Sequence, residues 1–303
     1  MNGGIITTGN HPAALWPGVN AFFGRAYDEY EPQYTALVDV ETSDKKYEEE
    51  VESTGFGLAH VKPESASITY DSDGQGYTAR YTHVTYGLGY TVTEEELEDN
   101  LYEAVSKRRA PDLAFALRQT KENVVANVYN RATNASYTGG DGVSLGSTSH
   151  PTPNGTQSNR LATDADLSEA AIEDMVIQIR QAKNARGMRI KLMPRSLVVP
   201  AQLEFEAARI LNSVLQNDTA NNAVNVLKAM GTIPRVDVNQ YLTSSTRWFI
   251  RTNARHGLKL FQRRKVKFEN DSEFDTSNAK AKATERYSTG WTDWRAIYMT
   301  DGV

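Results

Sequence analysis

His150 and Asp141 are the residues whose types best suit acid and base chemistry, and both lie in a long polar segment. This segment, Ala132 to Ala165, is rich in Gly, Ser, Thr, Asn and Pro. Long segments without regular structure are commonly binding loops or lids, so one hypothesis is a hydrolase with His150 and Asp141 as its acid and base. We assign no nucleophile and no oxyanion motif beside them. A hydrolase is therefore the minor alternative.

The remaining candidates for chemistry are isolated residues. The five histidines are scattered, with no pair at metal-ligand spacing, and Asp71-Ser-Asp-Gly74 lacks the later oxygen ligands and closing glutamate of a calcium loop. The chain has no cysteine, which excludes disulfides and thiolate metal sites. Lys62 is the only lysine from Val51 to Ser106, so it is the candidate there for an isopeptide bond between subunits. We predict no enzyme activity, no cofactor and no metal site.

The charges are segregated along the chain, although the net charge is only -5. Residues 28–52 contain ten acidic side chains against two lysines, and residues 251–267 contain seven basic side chains and no acidic one. Opposite patches of this kind steer one protein onto another, while solvated faces on one monomer are the alternative. We predict a contact between these segments of neighbouring subunits. The candidate intersubunit residues are Glu48, Glu49, Glu50, Lys62, Arg263, Arg264 and Lys265.

The composition is that of an ordinary globular protein, with 39% hydrophobic and 23% charged residues. The first residues have neither the basic nor the apolar region of a signal peptide, and no run of about 18 apolar residues occurs. We therefore expect a chain that is made and kept in a cytoplasm. Because the whole chain is acidic and shows no motif that reads DNA or RNA, nucleic-acid recognition by the basic segment is disfavoured.

An extended hairpin followed by a long helix is predicted in the first half of the chain. Residues 56–92 show an extended pattern around a turn at 71–76 without a cleanly apolar face, which favours a hairpin that projects onto a neighbour. Thr93 and Glu96 then have capping-box spacing. We expect the following helix to be much longer than average and to be kinked or split at Pro111. Its apolar positions are Leu97, Leu101, Val105, Leu113, Leu117, Val124 and Val128.

Strands that alternate with helices predict an α/β subdomain in residues 166–255. Asp166 and Glu169 have capping-box spacing ahead of an apolar helical stripe, and Gly187 is the predicted stop of this helix. A second helix is expected around 203–214. The aromatic last segment is expected to return to the long helix. The predicted strands lie at 189–193, 197–199, 248–250, 258–261 and 266–268, and the returning segment at 287–299.

These segments in this order resemble the major capsid protein of tailed bacteriophages, and above all the Mu-like major head subunit family. The resemblance is carried by Tyr86-Gly-Leu-Gly-Tyr-Thr-Val-Thr-Glu-Glu-Glu-Leu-Glu-Asp-Asn-Leu-Tyr102, where the hairpin enters the long helix. No single motif is diagnostic, and the order and spacing of several carry the likeness over most of the chain. The others are Leu145-Gly-Ser-Thr-Ser-His-Pro151, Leu192-Met-Pro-Arg-Ser-Leu-Val-Val-Pro200, Ile210-Leu-Asn-Ser213 and Trp291-Thr-Asp-Trp-Arg295.

The resemblance implies an α+β fold of the tailed-phage major capsid type. Its parts are an N-terminal arm at 1–50, an extended β-hairpin loop at 51–92, a peripheral domain with a long spine helix at 93–165 and 256–303, and an α/β axial domain at 166–255. The implied function is structural: copies form pentamers and hexamers of an icosahedral shell that encloses packaged double-stranded viral DNA without reading its sequence.

The resemblance also implies partners and a location. No long helical, charged segment is recognised ahead of the arm, so a separate scaffolding protein is expected, together with a portal, and a decoration protein is an optional further partner. No membrane is involved. The expected location is the virion capsid, with the host cytoplasm during assembly. An encapsulin-like nanocompartment shell, which encloses enzymes, is the alternative with the same fold.

Overall fold

The structure, a computed structural model, describes residues 21, 23–98, 102–215, 223–273 and 278–303. The predicted arm before residue 21 lies outside the described residues. The side chains of residues 97–107 lie outside them as well, so the predicted apolar positions Leu97, Leu101 and Val105 are not described.

A four-stranded sheet with a long helix on one face forms the larger part of the fold. Its strand order is β1–β10–β11–β4, in which only β1 and β10 are parallel. The long helix α4, Tyr102–Asn130, packs against β11, and the N-terminal helix α1, residues 23–29, joins the same apolar layer. These strands are β1 Asp39–Thr42, β4 Val84–Val92, β10 Leu258–Ser272 and β11 Ala279–Trp291.

Helix α4, Tyr102–Asn130, is the predicted long helix. A short helix, α3 Glu94–Glu98, precedes it, and the Thr93 hydroxyl accepts a hydrogen bond from the Glu96 N–H at 3.3 Å. Pro111 lies inside α4 and does not divide it. Proline removes one backbone hydrogen bond, but Ala110 and Ala114 on either side of Pro111 are fully buried. Packing therefore outweighs the lost bond.

A second four-stranded sheet, in the order β12–β9–β7–β8, contains the predicted α/β elements. Three helices pack around it, and their apolar side chains form a separate core with Leu197 and Trp248 of the sheet. The helices are α5 Glu169–Arg180, α6 Glu204–Asn212 and α7 Val226–Met230. The strands are β7 Pro194–Pro200, β8 Val236–Asn239, β9 Trp248–Thr252 and β12 Ile297–Thr300.

Several boundaries in this region differ from the prediction. Helix α5 begins two residues later than predicted, so its N-cap is Ser168 and not Asp166. The Ser168 hydroxyl accepts a hydrogen bond from the Ala171 N–H at 3.2 Å. The helix ends at Arg180, well before the predicted stop at Gly187. Residues 190–193 form no strand, while the strand predicted at 197–199 is present as part of β7, which starts at Pro194. The last strand pairs with β9 in the second sheet, and its residues Ile297 and Met299 share a core with the long helix, as expected for segment 287–299.

The predicted hairpin is a two-stranded ribbon with a long tip. Strand β2, Tyr47–Ser53, pairs with β3, Gln75–Thr82, and residues 54–74 connect them without regular structure. The turn predicted at 71–76 is therefore the end of this connection. The base of the ribbon is packed on the body, since Ala79 and Tyr81 are buried against Phe261. The remaining elements are α2 Tyr34–Leu37, β5 His150–Thr152 and β6 Gly155–Gln157.

Candidate assembly surfaces

A buried charge cluster joins the N-terminal segment to the long helix and the sheet. The Lys121 ammonium of α4 donates to Glu285 Oε2 of β11 at 2.8 Å and to the Gln262 side-chain oxygen of β10 at 2.7 Å. The Tyr27 hydroxyl of α1 donates to the other oxygen of Glu285. Burial lowers the pKa of Lys121, and the Glu285 carboxylate opposes this effect. Removing either charge would leave the other buried and unpaired.

Two more residues of α4 hold the segment that follows α1. Glu122 Oε1 accepts from the Gln33 N–H at 2.9 Å, and Arg118 Nη2 donates to the Tyr30 carbonyl at 2.8 Å. Glu122 Oε2 is buried without a hydrogen-bond partner. Burial raises the pKa of the Glu122 carboxyl above its usual value. Helix α4 is therefore both a core element and the anchor for residues 23–37.

The ribbon β2–β3 is docked on the body by alternate acidic residues of β2. Glu50 accepts from the Lys259 ammonium at 2.5 Å and from the Thr292 hydroxyl at 2.6 Å, and Glu52 accepts from Arg295 Nη1 at 3.3 Å. Burial acts to raise the pKa of Glu50, but the hydrogen bonds from Lys259 and Thr292 hold it below its usual value. Burial raises the pKa of Glu52. The base of the ribbon is thus fixed to its own chain.

The tip of the ribbon, residues 54–74, exposes apolar side chains to solvent. Val61 and Tyr70 are more than nine-tenths exposed. The tip touches the rest of the chain at Arg186, which donates to Asp71 at 2.8 Å and to the Ser72 carbonyl. An extended loop that cannot bury its own apolar residues is typical of an interaction element. The exposed apolar residues of the tip are Phe56, Leu58, Val61, Ile68 and Tyr70.

A second exposed apolar surface lies on the helices beside the second sheet. Phe205 in α6 and Met230 in α7 are mostly exposed, as are two residues of the connection between these helices. An exposed apolar area of this kind marks a site of association. The two residues of the connection are Val214 and Val224.

The acidic candidate residues are largely paired within the chain. Glu48 binds Ser43 Oγ at 2.7 Å and Lys45 at 3.1 Å, and Glu49 forms an ion pair with Arg80 at 3.0 Å. Glu50 is the ribbon contact described above. Further along the same segments, Asp39 pairs with Arg251 at 3.4 Å and Glu41 with Lys259 at 2.8 Å. The structure therefore brings part of the acidic and basic segments together inside one copy.

The basic candidate residues lie at an irregular point of β10, where the register with β11 shifts on both sides of Arg264. Arg264 and Lys265 are exposed, and Arg264 donates to the Thr284 hydroxyl at 3.0 Å. No ion pair joins Arg263, Arg264 or Lys265 to another described residue. Lys62 lies in the exposed tip and likewise has no partner among the described residues. The intersubunit roles of all these residues remain predictions.

His150 and Asp141 do meet, but inside the protein. His150 Nδ1 lies 2.6 Å from Asp141 Oδ2, and Nε2 lies 3.1 Å from the side-chain oxygen of Asn159. The His150 ring is fully buried and stacks on Trp294 at 4.2 Å. Both ring nitrogens are occupied by structural partners, so the histidine has no free atom for substrate chemistry.

Ser144 is a potential nucleophile that sequence analysis passed over, because Gly142 to Gly146 matches the pattern Gly-x-Ser-x-Gly. A nucleophile elbow needs a strand before the serine and a helix after it. Ser144 instead forms an isolated bridge in a loop, and its buried hydroxyl donates to the Gly146 carbonyl at 3.4 Å. It makes no hydrogen bond to His150. The motif is therefore part of the folded loop, not of a triad.

The described residues form neither a metal site nor a membrane-spanning helix. No group of His, Asp and Glu side chains there is arranged to hold a metal ion. None of the described helices has the length and apolar character needed to cross a membrane. The surfaces that stand out are those for contact with other macromolecules.

Sequence analysis also missed the buried cluster around Lys121. A signal was present, because Lys121 lies at helical spacing between the buried residues Leu117 and Val125. A charged residue inside an apolar stripe predicts a buried partner, but the partner Glu285 lies far away in the sequence. Its identity could not be read from local spacing.

Comparisons with known proteins agree with this architecture. A family model described as phage capsid protein matches residues 76–300, most of the chain. A search of curated protein sequences gave no match. Three of the solved structures that match the chain share its fold at low sequence identity, which makes the likeness one of fold.

The first is from Mycobacterium phage Che8, with 14% identity, coverage of 89% of this chain and 90% of that chain, and a TM-score of 0.51. The second is the capsid of a native GTA particle, with 8% identity, coverage of 89% and 90%, and a TM-score of 0.54. The third is the holo-SrpI encapsulin complex from Synechococcus elongatus, with 8% identity, coverage of 90% and 88%, and a TM-score of 0.53.

The family match covers the second strand of the ribbon, the long helix, both sheets and the buried anchors between them. The α+β capsid fold expected from the sequence is confirmed, while membership of the Mu-like subfamily stays a prediction. The chain therefore belongs to the phage capsid protein family, and it is a structural protein that self-associates into the shell of a virion.

Proposed function

We propose that copies of this chain form pentamers and hexamers, and that these build an icosahedral shell around packaged double-stranded DNA. The observation that carries this proposal is the ribbon, because its base is fixed by Glu50 and Glu52 while its apolar tip at 54–74 has no cover. A docked base with an exposed tip suits an element that reaches a neighbouring subunit. Obligate assemblies bury more than about 2,000 Å² per interface, and a projecting tip adds area without enlarging the body.

The subunit on this proposal has four parts with separate tasks. The arm at 1–50 and the extended loop at 51–92 contact neighbours. The peripheral domain, 93–165 and 256–303, surrounds α4, and the axial domain at 166–255 surrounds the symmetry axes of pentamers and hexamers. The exposed apolar residues of α6 and α7, such as Phe205 and Met230, support an axial contact between copies.

Several partners belong to the proposal by family likeness. A scaffolding protein would guide assembly, a portal would occupy one vertex, and a decoration protein could bind the finished shell. Assembly would take place in the host cytoplasm. The DNA would be enclosed without recognition of its sequence, because a subunit with a net negative charge does not attract DNA phosphates. Lys62 in the exposed tip is the proposed residue for contact, or for a covalent link, with a neighbour.

An encapsulin-like nanocompartment shell is the second candidate function. It is favoured by the fold likeness to the holo-SrpI encapsulin complex, which is as close as that to the phage structures. The match to the phage capsid family over residues 76–300 supports the viral shell over this alternative.

The test is electron microscopy of negatively stained protein, expressed alone and with a scaffold candidate, beside a sizing column. Closed shells, tubes or ring-shaped oligomers are expected. A chain that stays monomeric under every condition, with scaffold included, would refute the proposal. Shells that contain DNA after co-expression with packaging proteins support the viral function, while shells that retain an enzyme cargo support the nanocompartment.

A further inference from the structure

Most carboxylates of the acidic segment, residues 28–52, form ion pairs within the chain, but one group of them has no partner among the described residues. Asp28, Glu29 and Glu31 are all exposed at and just beyond the end of α1. None of the three has an ion pair or hydrogen bond among the described residues. We call these three residues the acidic patch. The acidic residues of β1 and β2, by contrast, are bound to cations of their own chain.

A corresponding group of guanidinium groups is formed by the basic segment, residues 251–267, together with the neighbouring strand β11. Arg264 of β10 lies directly opposite Arg286 of β11 in the strand register. Like charges at directly opposite positions of antiparallel strands destabilise the pairing. Arg263 and Arg286 each bury an Nε that has no hydrogen-bond partner. We call Arg263, Arg264 and Arg286 the arginine site.

The arginine site is electropositive as a whole. The His83 ring contacts Ser288, two residues after Arg286; burial first and then the charge of Arg286 lower the His83 pKa, with a smaller lowering by Arg263, while Glu48 opposes the shift. Arg286 was not among the residues that the sequence indicated, because it is brought to Arg264 only by the pairing of β10 with β11. Buried donors without acceptors and repelling cations are a cost that an anion would remove.

The two leftover groups cannot meet within one copy. Helix α1 packs on the face of the sheet that carries Ala281 and Ala283 of β11, and Tyr27 reaches Glu285 on that face. Successive residues of a strand point to opposite faces. Arg286 therefore lies on the face away from α1. A copy that offers anions on one face and binds them on the other can join the next copy in a head-to-tail contact, which closes into rings or extends into lattices.

We propose that the arginine site of one copy binds the acidic patch of a neighbouring copy. This inference rests on the proposed function, since it names a contact by which the shell subunits associate. Planar guanidinium groups bind carboxylates in a bidentate geometry. Each interface of this kind would bring three arginines and three carboxylates together. The acidic patch stands next to Tyr30, which is half exposed and whose ring contacts that of Phe115 of α4 at a tilted angle. That ring would cover the contact on its apolar side.

A carboxylate partner fits the chain better than a nucleic-acid phosphate. Each copy carries both halves of the contact in equal number, so the charges balance at any shell size. The net charge of the whole subunit is -5, which repels a polyanion. Phosphate binding by the arginine site is kept as an outcome of the test.

The test uses charge reversal on the full chain. One variant carries Arg264→Glu with Arg286→Glu, a second carries Asp28→Lys, Glu29→Lys and Glu31→Lys, and a third combines both sets. Matched controls reverse exposed charges that have no partner among the described residues, Lys46→Glu on the loop before β2 and Asp174→Lys on α5. Light scattering gives the protein concentration at which half of the chain is assembled, and circular dichroism with thermal melting reports the fold.

Each one-sided reversal is expected to raise the half-assembly concentration about tenfold or more, because like charges then face each other. The combined variant is expected to return to near the wild-type value, and an equal mixture of the two one-sided variants is expected to assemble better than either alone. The controls should match wild type. Rescue by the combined variant also shows that both sets of substitutions are compatible with folding.

Each other result overturns the inference in a distinct way. If wild type assembles and the one-sided reversals assemble equally well, the contact is absent while the proposed function stands. If the arginine reversal assembles normally but retains less nucleic acid, the site binds phosphate and the inference is wrong. If the one-sided variants fold and fail to assemble but the combination gives no rescue, the two groups are not partners. If wild type never assembles, the proposed function and this contact fall together.

Discussion

Lys121 and Glu285 form an ion pair of 2.8 Å in which the two side chains are only 5% and 1% exposed. The pair links the middle of α4 to the strand β11 on which it packs. Removing both charges from water is costly, and their attraction repays this only with good hydrogen bonding. The Tyr27 hydroxyl and the Gln262 side chain supply that bonding. The pair therefore fixes how the long helix, the sheet and the N-terminal helix lie together.

Substitution of one member of this pair is expected to be strongly destabilising. Lys121→Met leaves the Glu285 carboxylate buried without its cation, and such changes cost about 3–5 kcal/mol. The loss is measured as the shift in free energy of unfolding in urea. The double variant Lys121→Met with Glu285→Gln is expected to recover much of it, because no uncompensated charge remains. Additive losses in the double variant would show that packing, not charge, is what the pair supplies.

The buried Glu122 is expected to make stability depend on pH in a defined direction. Its carboxyl has a raised pKa because it is buried, so the native state holds the proton more tightly than the unfolded state. The contribution of the Glu122 carboxyl to stability is greatest at pH values below the usual glutamate pKa. It is lost as the pH rises through the raised pKa of the native state. Glu122→Gln cannot ionise. The variant is expected to become more stable relative to wild type as the pH rises above the pKa that the Glu122 carboxyl has in the unfolded state.

Urea unfolding of wild type and Glu122→Gln across pH 4 to 7 measures this difference. Glu173→Gln in α5, at a partly exposed position, is a control whose difference from wild type should stay small. Parallel stability profiles for wild type and Glu122→Gln would contradict the expectation. They would mean that the Glu122 carboxyl is ionised equally well in the native and unfolded states.

The long helix and the α/β part were predictable from the sequence because their signals are local. Leu113 and Leu117 recur at helical spacing and are buried, and the Thr93 cap is formed as expected. The predicted boundaries of an element are wrong where two sequence signals compete for the same end. Ser168 stands two residues after Asp166 and captures the start of α5. The strand expected at 189–193 is absent, whereas the strand expected at 197–199 begins earlier, at Pro194, and pairs with β9 and β8.

The assembly surfaces were predictable only in part, because charge pairing depends on which strands become neighbours. The segregation of acidic and basic segments is visible in the sequence, yet β1 lies beside β10 and so Glu41 and Lys259 neutralise each other within one copy. Spacing along the chain cannot distinguish such a pair from a contact between copies. Arg286 is distant from Arg264 in sequence and adjacent in the sheet, so the arginine site appears only when the register is known.

Loss of the Glu50 carboxylate is expected to loosen the base of the ribbon. Glu50→Gln weakens charge-assisted hydrogen bonds to Lys259 and Thr292, which are worth about 1.5–3 kcal/mol. Hydrogen exchange of the β2 and β3 amides should become about tenfold faster or more, while that of β9 is unchanged. Glu49→Gln is the matched control, since Glu49 faces solvent in an exposed pair with Arg80. Equal exchange in the two variants would show that Glu50 does not hold the ribbon.

The apolar tip of the ribbon is expected to matter for assembly and not for the fold of the subunit. Val61 and Tyr70 are almost fully exposed, so Val61→Ser with Tyr70→Ser removes no packing within the chain. Substitutions at such positions usually change stability by less than about 0.5 kcal/mol. In a shell the same residues would be covered, and truncating buried aromatic anchors costs about 2 kcal/mol or more at each interface.

We therefore expect an unchanged thermal midpoint together with a large loss of particles in electron micrographs. The control is Glu64→Ser, which alters an exposed polar residue of the same tip and should assemble normally. Normal particles from the Val61 and Tyr70 variant would mean that the tip stays in solvent in the assembled state. A lowered thermal midpoint would mean instead that the tip packs on its own subunit, and the ribbon would then be a part of the monomer core.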